Sequence, residues 1–251
     1  VTNAVDALKT GAPQLHPEAD NNLIYDWEIG DAAATDAALK KAAHITKMHI
    51  VNNRLVPNAM EPRAALAHYD KAEDHFTCWT TSQNPHVARL VMSAFYNVAP
   101  ENKLRIIAPD VGGGFGSKIF IYPEEVVCCW ASKKAGVPVK WVADRTESFL
   151  TDAHGRDHVT EVQMAFDEDN HVIGLKVDTV ANFGAYMSLF SSSVPTYLYA
   201  TLLSGQYNFP AIHANVRAVY TNTSPVDAYR GAGRPEATYV LERTMETAAR
   251  E

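Results

Sequence analysis

The sequence predicts an α+β fold, and three observations carry that expectation. Segments with helical and with strand periodicity are mixed along the 251 residues, without a regular β-α-β alternation. A glycine-rich turn, DVGGGFGSK at 110–118, joins an apolar strand-like run to a helix. Hydrophobic residues make up 47% and charged residues 20%, which suits a real core in one large domain or two smaller ones.

The elements follow in order. VDALKTGAP opens the chain as a short helix, and residues 1–22 otherwise read as a turn-rich tail. GDAAATDAALKKAAHITKMHIVNN passes from helix into strand. MEPRAALAHYD leads into a further strand, NPHVARLVMSAFY reads as a helix, and LRIIAPDV as a short strand ending in the glycines. PEEVVCCWASKKAG is a helix with Pro123, Glu124 and Glu125 in its first turn, Lys133 and Lys134 in its last, and Gly136 as its stop. That charge order complements the helix dipole. VPVKWVADR reads as a strand. HVTEVQMAF and HVIGLKVDTVANFGAY form a hairpin through DEDN. NVRAVYTN is one more strand, followed by the loop TSPVDAYRGAGRPE and a helix from Ala237.

Charge and composition exclude several classes. Net charge is −7 with no long basic run, so no nucleic-acid footprint is expected. No apolar stretch approaches the ~20 residues of a membrane-spanning helix. Cys78, Cys128 and Cys129 suit neither a zinc site nor a disulfide framework, and point to a reduced, cytoplasmic protein. The chain starts at Val1, and ERTMETAARE keeps a helical pattern to residue 251, so a piece of a longer polypeptide is expected.

The glycine loop departs from both nucleotide templates. Gly116 is followed by Ser117 before Lys118, and Ile119 stands where a phosphate loop needs a hydroxyl. Gly112 and Gly114 fit a dinucleotide fingerprint, but its third glycine is Ser117. Two readings stay open: a crowded strand-to-helix turn, or a nest of main-chain N–H groups facing an electron-rich ligand with Phe115 as a wall. Gln83, in TSQNPHVAR, and DAYRGAGRPE at 227–236 are further candidates; taken singly, they read as a helix-end residue and an ion-paired loop. HGRDHVTE, with His154, Asp157, His158 and Glu161, reads as a loop entering a strand rather than as a metal site.

Five collinear segments, TSQNPH, DVGGGFGSK, VKWVADRTESF, ANFGAY and DAYRGAGRPE, together resemble the large molybdenum-binding subunit of the xanthine dehydrogenase and aldehyde oxidase family. The match is to its carbon monoxide dehydrogenase large-subunit branch. The resemblance implies a mixed-sheet molybdopterin-binding domain, incomplete at both ends. Residues 1–25 would be the tail of a preceding hammerhead-like domain and linker, and 26–251 the first molybdopterin-binding domain. Molybdenum would be held through its molybdopterin, in the cytosine dinucleotide form, with no direct protein ligand. Gln83 would donate its amide to an oxo ligand. Gly113, Gly114, Phe115 and Gly116 would line the cofactor, and Arg230 and Gly231 another side of the metal. An iron–sulfur small subunit carrying 2Fe-2S centres and a medium subunit carrying FAD would take the electrons.

Departures from the family pattern shape the expected substrate. Copper-containing carbon monoxide dehydrogenases carry AYRCSFR in the second loop, whereas this chain has AYRGAGR, with Gly231 at the thiolate position. Ile119 and Leu198 stand where purine-oxidising members place a glutamate and an arginine. With Phe183, they imply an apolar-leaning pocket for an aldehyde or an aromatic N-heterocycle. Carbon monoxide oxidation, a nucleotide-binding module and a non-catalytic module are the alternatives. The family's general base, a glutamate, would lie beyond residue 251, so none is named here; Glu124 and Glu125 read as first-turn helix charges. The 251-residue chain purified alone is accordingly expected to be inactive and to hold substoichiometric molybdenum; metal analysis at one atom per chain refutes this.

Overall fold

The computed structural model describes residues 1–251, which divide into two compact units. The first joins Val1–Leu55 to Ala153–Glu251, and the second is Val56–Asp152. Fold class matches the expectation: both units combine a sheet with helices.

In the first unit, β1 (Leu23–Gly30), β2 (His44–Asn52), β7 (His158–Phe166), β8 (Val172–Gly184) and β9 (Ile212–Tyr220) form a sheet ordered β1-β9-β8-β7-β2. β8 pairs antiparallel with β7 and parallel with β9. Successive side chains of β8 face opposite sides of the sheet. Leu175, Val177 and Phe183 enter the main core with Val240 and Leu241 of α6 (Arg234–Ala248). On the other face, Val180 packs with Ala4 of α1 (Ala4–Ala7), and Lys176 pairs with Asp36 of α2 (Ala32–Lys41) at 2.8 Å. Cover on both faces explains why β8 is buried along most of its length. The β7–β8 connection is held by Asp167, whose Oδ1 accepts the N–H of Asp169 and of His171.

The second unit has the sheet β5-β4-β3-β6, from β3 (Ala64–Asp70), β4 (His75–Thr80), β5 (Leu104–Ile107) and β6 (Val139–Val142). Its core gathers Ala67, Phe76, Cys78, Met92, Leu104 and Cys129 between the sheet and the helices α3 (Pro85–Ala94) and α4 (Pro123–Ala135). All three cysteines are free and buried. Burial raises the Cys128 thiol, so it behaves as a small hydrophobe. No helix is long and apolar enough to cross a membrane.

Three elements differ from the sequence reading. LIYDWEIG, absent from it, forms β1, an edge strand that is exposed over most of its second half and pairs with β9. VPVKWVADR was expected as one strand, but β6 stops at Val142 and α5 (Arg145–Thr151) begins. Asp144 caps α5 by accepting the Glu147 N–H at 2.7 Å, while Glu147 accepts the Asp144 N–H at 2.9 Å. That reciprocal D-x-x-E box ends the strand. α6 starts at Arg234, three residues before the expected Ala237, and stops at Ala248.

His158, at the start of β7, is 3% exposed and stacks edge-on against Tyr199 at 5.2 Å. Burial, reinforced by Arg156, lowers its pKa to about 4. The folded state therefore binds fewer protons than the unfolded chain between pH 6.5 and 4. Stability from this residue is nearly complete at pH 7.5, begins to fall as pH nears 6.5, and is lower by about 3 kcal/mol at pH 4. Asp227, pushed up to about 6 by burial, acts with the opposite sign below pH 6. Urea titrations at pH 7.5, 6.5 and 6 should thus show falling stability, and His158→Phe should flatten that fall; an unchanged slope contradicts the assignment.

Candidate functional site

The glycine loop and Gln83 lie together in the second unit. Gln83 precedes α3, and its backbone N–H donates to the Lys118 carbonyl at 2.7 Å. Its side-chain Oε1 accepts the N–H of Gly116 at 2.9 Å and of Lys118 at 3.3 Å. Two main-chain donors on one oxygen define which end of the amide is which. The Nε2 end is left as a donor at an exposed position.

The loop backbone is shaped for this contact. Gly113 and Gly116 have φ of +91° and +110°, and Phe115, at +53°, is also left-handed. A Cβ on Gly114 would stand 2.2 Å from Gln83 Oε1 and 2.6 Å from its Cδ, so Gly114 is the space in which the amide rests. Phe115 is 42% exposed, a ring presented outward by a constrained backbone. Ile119, just after the loop, is half-buried. Ser117 Oγ donates to the Gly114 carbonyl at 3.0 Å, and Tyr122 Oη to the Ser117 carbonyl at 2.6 Å.

Charged residues behind the loop are paired. Arg63, 4% exposed, donates to Asp152 at 2.6 Å and Glu124 at 3.1 Å, and stacks over the Tyr122 ring at 3.6 Å. Glu125 is not the solvated charge that its first-turn position suggests. It is 7% exposed and accepts hydrogen bonds from Thr80 Oγ1 at 2.6 Å and from the Tyr122 N–H at 2.9 Å. Burial raises its pKa against these bonds. Both glutamates are spent on structure, which leaves neither as a base.

The remaining candidates belong to the first unit. Arg230 and Gly231 are exposed on the loop before α6. Gly231 has φ +96°, and a Cβ there would lie 2.8 Å from the Pro235 ring. Gly233 (φ +83°) lies against the Leu198 carbonyl, which a Cβ would meet at 2.3 Å, so Leu198 is a neighbour of this loop. Arg156, 6% exposed, donates to the carbonyls of Tyr229 at 3.0 Å and Arg230 at 2.8 Å, and to Glu236 Oε1 at 3.0 Å. Burial raises the Glu236 pKa, opposed by Arg156. Asp227 accepts the N–H of Ala228 at 2.6 Å and of Phe190 at 2.9 Å.

Phe183 departs from its expected place. It is 1% exposed, in the core with Tyr25 edge-on at 5.7 Å, and offers no surface to a substrate. The glutamate and arginine that anchor these loops, Glu61 and Arg156, were missed. Their partners lie about 50 and 75 residues away in sequence, beyond any local pattern. His154, Asp157, His158 and Glu161 do not assemble into a metal-binding cluster.

Fold and loop define a domain with a glycine-shaped turn that fixes one side-chain amide by its oxygen and leaves the nitrogen end exposed. The chain belongs to the molybdopterin cofactor-binding domain family, matched over residues 15–251, and with it to the large subunits of the xanthine dehydrogenase and aldehyde oxidase family. It is 38% identical to the carbon monoxide dehydrogenase large chain of Hydrogenophaga pseudoflava, over 99% of this chain and 33% of that one. It is 36% identical to 6-hydroxypseudooxynicotine dehydrogenase complex subunit gamma of Paenarthrobacter nicotinovorans, over 76% of this chain and 24% of the relative. Quinoline 2-oxidoreductase from Pseudomonas putida 86 superposes with a TM-score of 0.92 at 30% identity, over 100% of this chain and 32% of that one. The chain thus spans about a third or less of the length of these relatives.

Gly114→Ala tests the geometry directly. The new methyl meets Gln83 Oε1, Cδ and Cγ and pushes the amide off the Gly116 and Lys118 N–H groups, so the melting temperature should fall by a few degrees. Loss of the Gln83 orientation should lower cofactor retention or turnover by about 10- to 100-fold, the usual scale for groups that orient a metal centre. Parental values of both, with the methyl present, contradict the contact.

Proposed function

We propose that this chain forms part of the large subunit of a molybdenum-dependent hydroxylase that oxidises an aldehyde or an aromatic N-heterocycle with oxygen from water. The observation that carries this reading is the Gln83 amide, fixed through its oxygen by Gly116 and Lys118 and leaving its N–H groups for a ligand. The residues fit the cofactor: Gly113, Gly114, Phe115 and Gly116 bring backbone close, and Gly114 leaves no room for a side chain beside Gln83. When bound, molybdopterin-held molybdenum supplies the two-electron oxidation, and the protein supplies oriented hydrogen bonds. Gln83 Nε2 would donate to an acceptor atom of the cofactor. Arg230 and Gly231 are proposed as further cofactor-lining residues. The cytosine dinucleotide form and the 2Fe-2S and FAD partner subunits belong to the same reading, as the sequence resemblance implies, and a cytoplasmic location is proposed from the three free cysteines.

The apolar side chains of Ile119 and Leu198 favour a substrate without strong polar anchors. A phosphate-cradling loop is disfavoured, because the Lys118 ammonium is 2% exposed and committed to Glu61. Carbon monoxide oxidation is the second reading, favoured by the 38% identity to a carbon monoxide dehydrogenase large chain. Against it stands Gly231. A copper(I) site needs a soft ligand such as a thiolate. Glycine offers none, and its φ of +96° beside Pro235 disfavours any side chain there.

Dye reduction by the assembled enzyme should be seen with aldehydes or N-heterocycles and should be absent with carbon monoxide. Turnover of carbon monoxide overturns the reading of Gly231, and nucleotide binding without molybdenum overturns the hydroxylase assignment as a whole.

A further inference from the structure

Lys118 ends the glycine loop with its ammonium turned inward. Nζ donates to the Glu61 carbonyl at 2.8 Å and to Glu61 Oε2 at 2.8 Å. The same Oε2 accepts the Gly112 N–H at 2.8 Å, and the Glu61 N–H donates to the Gly112 carbonyl at 3.3 Å. One carboxylate therefore ties the first glycine of the loop to its closing lysine. The backbone of Lys118 carries the tie onward: its N–H donates to Gln83 Oε1, and its carbonyl accepts the Gln83 N–H.

Resting on the hydroxylase reading, we propose that Glu61 is a positioning residue for the cofactor, acting through Lys118 on the orientation of the Gln83 amide. Without the carboxylate, a buried ammonium keeps one carbonyl acceptor, and an undercompensated buried cation draws in water or moves outward. Either response shifts the Lys118 backbone, which makes two of the three hydrogen bonds that place Gln83. The reverse change is milder. With Lys118→Met, the Glu61 side chain, 35% exposed, can be hydrated, and only the tie is lost.

The test uses the assembled enzyme with Glu61→Ala, Glu61→Gln, Lys118→Met, Gln83→Ala and the Glu61→Ala/Gln83→Ala pair. Amide exchange at Gly116 and Lys118 is read by mass spectrometry, beside molybdenum per polypeptide, kcat and KM. In Glu61→Ala these two amides should exchange at least about tenfold faster, and in Lys118→Met faster by a smaller factor, while those of β7 and β8 stay unchanged. Molybdenum content or kcat should fall by about 10- to 100-fold. Glu61→Gln keeps an oxygen for Lys118 and should recover most of both. The double variant should be little worse than Gln83→Ala, because the two residues act in series.

Unchanged loop exchange in Glu61→Ala and Lys118→Met overturns the proposal. So does faster exchange with parental molybdenum and kcat, or full additivity with Gln83→Ala. If Glu61→Ala does not fold, Lys118→Met decides by the same measurements. Parental enzyme without molybdenum overturns the hydroxylase reading instead, and loop exchange in the variants still decides whether the tie exists.

Discussion

The glycine loop of the second unit is built around one hydrogen-bonded joint: the Gln83 side-chain oxygen held by the N–H groups of Gly116 and Lys118. An amide can be reversed at little cost in water, and only fixed donors on one end make the other end a dependable donor. Everything unusual in the loop serves that arrangement. The left-handed residues Gly113, Phe115 and Gly116 turn the chain, and Gly114 leaves the volume that Gln83 occupies. Backbone in such conformations is strained for a residue like Phe115 and persists where its surroundings over-determine it.

Buried charges do much of that over-determination. Glu61 and Lys118 brace one loop, and in the first unit Arg156 with Glu236 braces the other by gripping the carbonyls of Tyr229 and Arg230. Such pairs add little net stability, because desolvation offsets most of the attraction. Their contribution is geometric: a fixed cation gathers several carbonyls into one arrangement. Glu236 Oε2 remains buried without a hydrogen-bond partner, at the edge of one such brace.

Much of the fold was legible because it is locally encoded. Pro123, the lysines of its last turn and Gly136 bound α4 in the sequence and in the structure, where Gly136 takes φ +71°. DEDN marks the β7–β8 turn by its own side-chain hydrogen bonds. The Asp144 box was equally local but was passed over in favour of the strand before it. β1 escaped notice because it is a largely exposed edge strand whose identity comes from pairing with β9, almost two hundred residues later.

By itself, the sequence determined the α+β class, the family and the candidate residues Gln83, Gly114, Phe115, Gly116, Arg230 and Gly231, because glycine spacing and short motifs survive as local text. Tertiary structure alone decided which way the Gln83 amide faces, that Phe183 is core and Glu125 a buried cap, and that Lys118 answers to Glu61 rather than to a phosphate. The reason is physical. Backbone dihedrals and turn chemistry act over a few residues, whereas burial and ion pairing join positions that only folding brings within 3 Å of each other.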